Sequence, residues 1–356
     1  MTQLLTNTIE MIKPLDEGAM AEARARQDRL TKPQGSLGRL EELSIQLAGI
    51  QGKPIPQIRH KAIITMAGDH GVVAEGVSAF PQEVTAQMVY NFLGGGAGIN
   101  VITRQVGARI IVVDMGVVTE LEPDPQLLSR KIAPGTQNMS QGPAMTREQA
   151  AKAIETGIEI VTTEVAKGLD IVGTGDMGIG NTTASSAVCA VMTGKPVAEV
   201  TGRGTGIADK QLTHKVKVIS RALAVNRPDP KQPLDVLAKV GGFEIGGLVG
   251  VMLAAAAHRV PVVIDGFISG AAALIATALS PELKDFLIAA HVSAEAGHRL
   301  LLKYLGLKPL LDLGMRLGEG TGAALGIFLA EAAARILAEM STFAEARVSG
   351  RDEPSN

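Results

Sequence analysis

The sequence predicts an α/β fold: a mostly parallel sheet with helices on both faces, plus a small helical domain drawn from both ends of the chain. Three observations carry this. Short β-branched runs recur, each followed by glycine and a polar residue and then by a longer helical stretch, the pattern of strands joined by crossover helices. Hydrophobic residues make up 46% of the 356 positions but aromatic residues only 3%. The apolar content is therefore aliphatic, unlike that of a β-sandwich, and too high for a disordered chain. Glycine reaches 41 residues without a three-residue period, as expected where turns come close to a ligand.

Residues 1–50 read as helices broken by a polar turn, with Leu37, Leu40, Leu43 and Leu47 at helical spacing. Strands are expected at 62–66, 109–113, 169–172, 260–264 and 286–290. Their polar ends are Gly68-Asp69-His70-Gly71, Asp114-Met115-Gly116, Gly173-Thr174-Gly175-Asp176, Asp265-Gly266 and His291-Val292-Ser293. Ligands of parallel sheets bind outside the carboxyl ends of the strands, so these ends mark the edge where a site belongs. The last long helix, 321–340, carries Ala and Leu on most faces and needs neighbours on several sides; the N-terminal helices are the expected ones. The domains are then 1–60 together with 305–356, and 61–304. The polar tail from Ser349 is expected to fray.

Lys plus Arg total 34 and Asp plus Glu 36, a net charge of -2, with no long charge block and few rings to stack on bases, which argues against nucleic acid. The longest uncharged apolar stretches, 245–257 and 266–281, fall short of the roughly 18 residues that span a bilayer. They could instead pack across a subunit interface or fill the interior of one subunit. Cys189 stands alone in a small-residue helical run and reads as a buried, inert thiol. With no signal-like segment at the start, the expected location is cytoplasmic. The six histidines show neither H-x-x-x-H spacing nor a cysteine cluster, so no metal is expected.

Gly173-Thr174-Gly175-Asp176-Met177-Gly178 matches G-x-G-x-x-G between an apparent strand and a helix, which would suit an NAD(P)-dependent oxidoreductase. Its acidic partner is not evident, since Glu199 does not clearly end a second strand. Gly178-Ile179-Gly180-Asn181-Thr182-Thr183 opens a helix with free N–H groups, a phosphate seat or simply a tight turn. Thr201-Gly202-Arg203-Gly204-Thr205-Gly206 is a second glycine-rich loop, with Lys210, Lys215 and Lys217 beyond it; it suits an anion, although each lysine also reads as a solvated helix position. Glu319, between Gly318 and Gly320 at a helix start, is either a charge that offsets the helix dipole or a general base.

The motifs gather into one resemblance. Lys32-Pro33-Gln34-Gly35-Ser36-Leu37-Gly38-Arg39, the block from Gly68-Asp69-His70-Gly71 through Glu75-Gly76-Val77-Ser78 to Pro81-Gln82-Glu83-Val84-Thr85, Gly178-Ile179-Gly180-Asn181-Thr182-Thr183, Gly202-Arg203-Gly204-Thr205-Gly206 and Gly318-Glu319-Gly320-Thr321-Gly322 occur in order from about residue 30 to about 340. Together they resemble the nicotinate-nucleotide–dimethylbenzimidazole phosphoribosyltransferases of cobalamin lower-ligand assembly. The resemblance implies a Rossmann-like sheet, a homodimer, no cofactor, and transfer of phosphoribose from nicotinate mononucleotide to 5,6-dimethylbenzimidazole with inversion at the anomeric carbon. It implies that Glu319 is the base and that Lys215 lies at the phosphate end. Asp176 is a second catalytic candidate, one methylene shorter than the glutamate usual in the family. Phe80, Met88 and Met177 are expected around the base, with Ser78, Gln87, Ser293 and Leu317 as further substrate contacts. Gly178, Gly180, Asn181 and Thr182, then Gly202, Arg203 and Gly204, are expected around the nucleotide.

That reaction asks little of the protein. A pyridinium glycoside loses a neutral ring, so no general acid is needed, while the acceptor must lose one N–H proton to a single carboxylate. A nearby carboxylate such as Asp176 would favour cationic ribose. With no Trp and two Tyr, the acceptor must be held by Met and Leu side chains, with Phe80 as stacking ring. Such a pocket is expected to tolerate several bases.

Overall fold

A computed structural model describes residues 1–349. Six strands, β1 (Lys61–Gly68), β2 (Arg109–Gly116), β3 (Leu127–Ser129), β4 (Ile171–Met177), β5 (Val262–Ile264) and β6 (Leu287–Ala289), form one sheet in the order β3-β2-β1-β4-β5-β6. All five pairings are parallel. This is the predicted α/β class. The strand order reverses between β1 and β4, where folds of this kind open a crevice. Five strands sit where the apolar runs are. The sixth, β3, is three residues long, lies at an edge and follows the polar, proline-containing stretch Glu120-Leu121-Glu122-Pro123-Asp124-Pro125, so it carries no strand pattern of its own.

Alternate strand residues serve opposite faces. Ile64, Met66, Val262 and Ile264 enter one apolar cluster, and Ile63, Ala67, Val112 and Val263 enter the other. Helices Phe243–Ala257 and Phe267–Leu279 cover the first face, and helix Arg147–Ala166 lies against Phe243–Ala257. The backbones of that helix pair nearly touch. A Cβ on Gly250 would stand 1.9 Å from the Ile154 carbonyl oxygen, and one on Gly157 2.0 Å from that of Gly247. Gly250→Ala is therefore expected to destabilise the fold by about 1–3 kcal/mol despite alanine's better helix propensity, read from the midpoint of denaturant unfolding. Nearly all of both helices over the first face is buried within the subunit, which places these stretches in its interior.

Helix Thr321–Glu339 covers the second face and meets β1, β4, β5 and β6. N-terminal helices Glu17–Gln27 and Arg39–Gln51 pack on its outer side, as the sequence suggests. Arg26 ties the ends together, donating through Nε to the Leu337 carbonyl (2.6 Å) and through Nη2 to that of Ala338 (3.2 Å). By length and composition Thr321–Glu339 could cross a bilayer, but 56% of its apolar window is buried in this packing. The expectation for the polar tail falls on 350–356, outside the described residues.

β4 departs from expectation by continuing to Met177, five residues past the expected end. Gly173 and Gly175 pair with Ile63 and Thr65 of β1 as ordinary strand residues. Their missing side chains let the start of helix Thr321–Glu339 lie on the strand. A Cβ on Gly175 would stand 2.3 Å from the Glu319 carbonyl oxygen, and one on Gly173 3.0 Å from Ala323 Cβ. These glycines serve packing, not a phosphate loop, and the dinucleotide fingerprint loses its first two members.

Candidate active site

Chemistry concentrates at the carboxyl edge of the sheet. A cavity of about 250 Å³ opens there, with Asp176 and Met177 from β4, Gly266 after β5, His291 and Ser293 after β6, and Leu317 and Gly318 on its wall. A larger cavity of about 800 Å³ lies by Lys61 and Gly107, at the amino ends of β1 and β2. The smaller one holds the reactive groups. Asp176 Oδ1, His291 Nδ1 and Glu295 Oε2 are buried there without a hydrogen-bond partner. Buried polar atoms left unpaired by the protein mark where a ligand makes bonds.

The anion end is built by two turns and one lysine. Gly180 has φ of 94° and precedes helix Asn181–Thr193. A Cβ on Gly178 would stand 2.2 Å from the Gly68 carbonyl oxygen, so only glycine lets this turn settle on the end of β1. Thr182 faces the cavity, and its Oγ1 accepts a bond from Lys215 Nζ at 2.8 Å. Lys215, 1% exposed, also lies 3.5 Å from the Gly202 carbonyl. Burial pushes its ammonium down to about 8, partly opposed by Glu295. Sequence alone leaves Lys215 indistinguishable from a solvated helix position; the structure puts it behind both glycine-rich turns.

Arg203 does something else. It pairs with Asp209 and donates to the Ile207 carbonyl at 2.9 Å, so its guanidinium holds its own loop. Arg203→Ala is expected to change the KM for an anionic substrate by less than about fivefold, because an exposed pair contributes about 1 kcal/mol or less. The arginine on the cavity wall is Arg316, whose Nη1 donates to the Gly204 carbonyl at 3.0 Å.

Beside this turn lies a cluster of carboxyl groups. Asp176 Oδ2 accepts from Asn181 Nδ2 at 2.9 Å. Burial, reinforced by Asp265, Glu244 and Glu319, pushes the Asp176 carboxyl well above the usual range. Glu319 sits on a backbone with φ of 66°, rare for a residue with a side chain. It is pinned from both sides: its N–H donates to the Asp176 carbonyl (3.2 Å) and its carbonyl accepts from Thr65 Oγ1 (3.0 Å). Its Oε2 accepts from the Ile99 N–H at 3.0 Å, at the start of helix Gly98–Val106. Burial raises the Glu319 carboxyl and the Ile99 N–H lowers it, with the rise prevailing. Strain held this firmly beside a cavity is a mark of function.

Of the expected base contacts, Phe80, Met177 and Leu317 line the cavity, and Phe80 and Leu317 are both more than half exposed. Met88 packs against the apolar cluster that Met177 also meets. Gln87 is exposed on helix Val84–Leu93, and Ser78 touches the wall only through Thr205, Oγ to Oγ1 at 3.3 Å. Gly180, Gly202, Lys215 and Glu319 stand behind the wall rather than on it. Asp265, His291, Glu295 and Arg316 are absent from the expected contacts. Asp265 and His291 were findable, since each directly follows an apolar run.

The comparisons with known proteins agree over nearly all of the chain. A family model described as phosphoribosyltransferase matches residues 12–348. The nicotinate-nucleotide–dimethylbenzimidazole phosphoribosyltransferase of Desulforudis audaxviator is 62% identical over 346 residues, covering 97% of this chain and 98% of that protein. The enzyme of the same name from a Roseiflexus species is 63% identical over 350 residues, covering 98% and 99%. A crystal structure of the Thermus thermophilus enzyme of this name superposes with a TM-score of 0.90 at 48% identity, covering 95% of this chain and all of that one. None of these supports an oxidoreductase. The chain belongs to the nicotinate-nucleotide–dimethylbenzimidazole phosphoribosyltransferase family.

Proposed function

We propose that this protein transfers the 5-phosphoribosyl group of nicotinate mononucleotide to 5,6-dimethylbenzimidazole, giving α-ribazole 5′-phosphate and nicotinate. The observation that carries the reading is the cavity itself, with a lysine-backed glycine turn beside Asp176 on its wall and Glu319 just behind it. The phosphate sits at the amino end of helix Asn181–Thr193, where N–H groups and Lys215 favour an anion. Glu319 takes the benzimidazole N–H proton as the other ring nitrogen attacks the anomeric carbon. Nicotinate leaves as a neutral pyridine ring, so the charge that disappears from the pyridinium does not reappear on the product. The Ile99 N–H holds one oxygen of Glu319, which fixes the direction of the other. Asp176 meets the sugar through Oδ1, the oxygen that the protein leaves unpaired on the cavity wall.

Two features of the assembly belong to the same reading. The terminal segments, within 1–60 and 305–349, act as a helical unit on the larger 61–304 unit, and the enzyme works as a cytoplasmic homodimer. Incubation with both substrates is expected to release nicotinate only when the base is present, followed by chromatography. Tight NAD binding with no binding of the mononucleotide would overturn the assignment. Competing benzimidazoles, offered in pairs, are expected to yield mixed products, because Met177 and Leu317 adapt more readily than an aromatic cage.

A further inference from the structure

We infer that Asp265 is a positioning residue for Glu319: it caps, from across the sheet, the helix whose first turn carries that base. The inference rests on the assignment of Glu319 above. Helix Thr321–Glu339 lacks a cap of its own, because its N-cap residue is Gly320, which has no side chain to accept the first free N–H groups. Nor could it carry one. Gly320 has φ of 99°, and a Cβ there would stand 2.6 Å from Ile63 Cγ2. Asp265, at the end of β5, supplies the acceptor instead. Its Oδ1 takes the N–H of Ala323 at 2.9 Å, the third helical position, where a cap is normally received.

Asp265 is itself fixed. It is 1% exposed, and its N–H donates to Thr174 Oγ1 at 3.2 Å, which in turn meets Ser269 Oγ at 2.8 Å. Its second oxygen, Oδ2, has no partner. The helix start fits because Gly322 is also bare: a Cβ there would stand 2.8 Å from Asp265 Oδ1 and 2.1 Å from the ring of His291. The glycines around Glu319 thus do two jobs. They permit the turn and remove the local cap, and a carboxylate 58 positions away in sequence restores it.

Three titratable groups face Asp265: Glu319 from the turn, Asp176 from β4, and His291 after β6 with Nε2 at 3.8 Å. Burial outweighs the backbone N–H bonds and pushes the Asp265 carboxyl up to about 7, with Glu319 adding repulsion.

The test compares Asp265→Ala, Asp265→Asn and Glu319→Gln. Asp265→Ala is expected to lower kcat by about 10- to 100-fold, the cost of a misplaced reacting group, with a smaller change in the KM for nicotinate mononucleotide. Asp265→Asn keeps an acceptor for the Ala323 N–H. It is expected to recover most of that loss, with little change in the KM for nicotinate mononucleotide. If the alanine variant does not fold, the kcat of the asparagine variant carries the test: near-full turnover is expected, and a loss as large as that of Glu319→Gln would overturn the positioning role. An inactive Glu319→Gln beside a fully active Asp265→Ala would reject the positioning role alone. An active Glu319→Gln would reject the base assignment and the inference with it. An asparagine variant that folds but recovers none of the kcat would reduce Asp265 to a structural role.

Discussion

Glu319→Gln is expected to fold and to lose about 10²- to 10⁴-fold in turnover, the usual contribution of a general base. The amide has the shape of the carboxylate, and its carbonyl oxygen still accepts the Ile99 N–H at the start of helix Gly98–Val106. What is lost is the ability to take a proton. The sign of the pH effect follows from the same site. A base works when ionised, and burial raises the Glu319 carboxyl above its ordinary range. Turnover of the unaltered protein should therefore fall as pH drops through that raised value, a limb the Gln variant should lack. Steady-state kcat across pH, with thermal melting to confirm the fold, reads both effects. Near-normal turnover would remove Glu319 from the base role.

Lys215→Met should act on binding rather than on chemistry. A charge-assisted bond to a phosphate contributes about 1.5–3 kcal/mol, so the KM for nicotinate mononucleotide is expected to rise about 10- to 100-fold. The ammonium titrates near 8 in the fold, so kcat/KM of the unaltered protein should fall as pH rises through about 8. The Met variant should lose that limb. Stability should move the other way. A lysine whose folded value lies below its unfolded 10.5 disfavours folding at pH 7, and stability recovers as pH rises from about 8 towards 10.5. Replacing it with an apolar side chain of similar length should raise Tm at neutral pH, with a shrinking gain above pH 8. A protein that binds worse yet melts higher would show a buried charge kept for its ligand.

Much of this fold was legible because parallel strands advertise themselves. β1, β2, β4, β5 and β6 are largely buried apolar runs, each with a polar residue at or just beyond its carboxyl end: Asp69, Asp114, Asp176, Asp265 and His291. β3 was not, because three edge residues after a proline-containing loop have no periodicity to read. Both parts of the site were found through glycine, but glycine misled at Gly173 and Gly175. A strand that must admit a helix start and a turn that must admit a phosphate ask for the same residue. Charge misled in the same way. Arg203 stands out in its loop yet serves Asp209, whereas Lys215 looks like any helix-surface lysine and is buried behind Thr182. Which of two cations faces the ligand depends on how a helix and a loop pack together, and spacing does not carry that information. Glu319 shows the reverse case: its glycine neighbours announced an unusual turn, and the turn is there, with a positive φ on the glutamate itself.

The most direct test follows the sugar. Nicotinate mononucleotide labelled in the ribose, mixed with 5,6-dimethylbenzimidazole and the protein, can be watched by NMR at the anomeric position. A base that frees the benzimidazole nitrogen to attack the anomeric carbon directly predicts a single displacement, so nicotinate and the α-anomer of the ribazole phosphate should appear in equal amounts. A β-anomeric product, or nicotinate released without consumption of the benzimidazole, would contradict it.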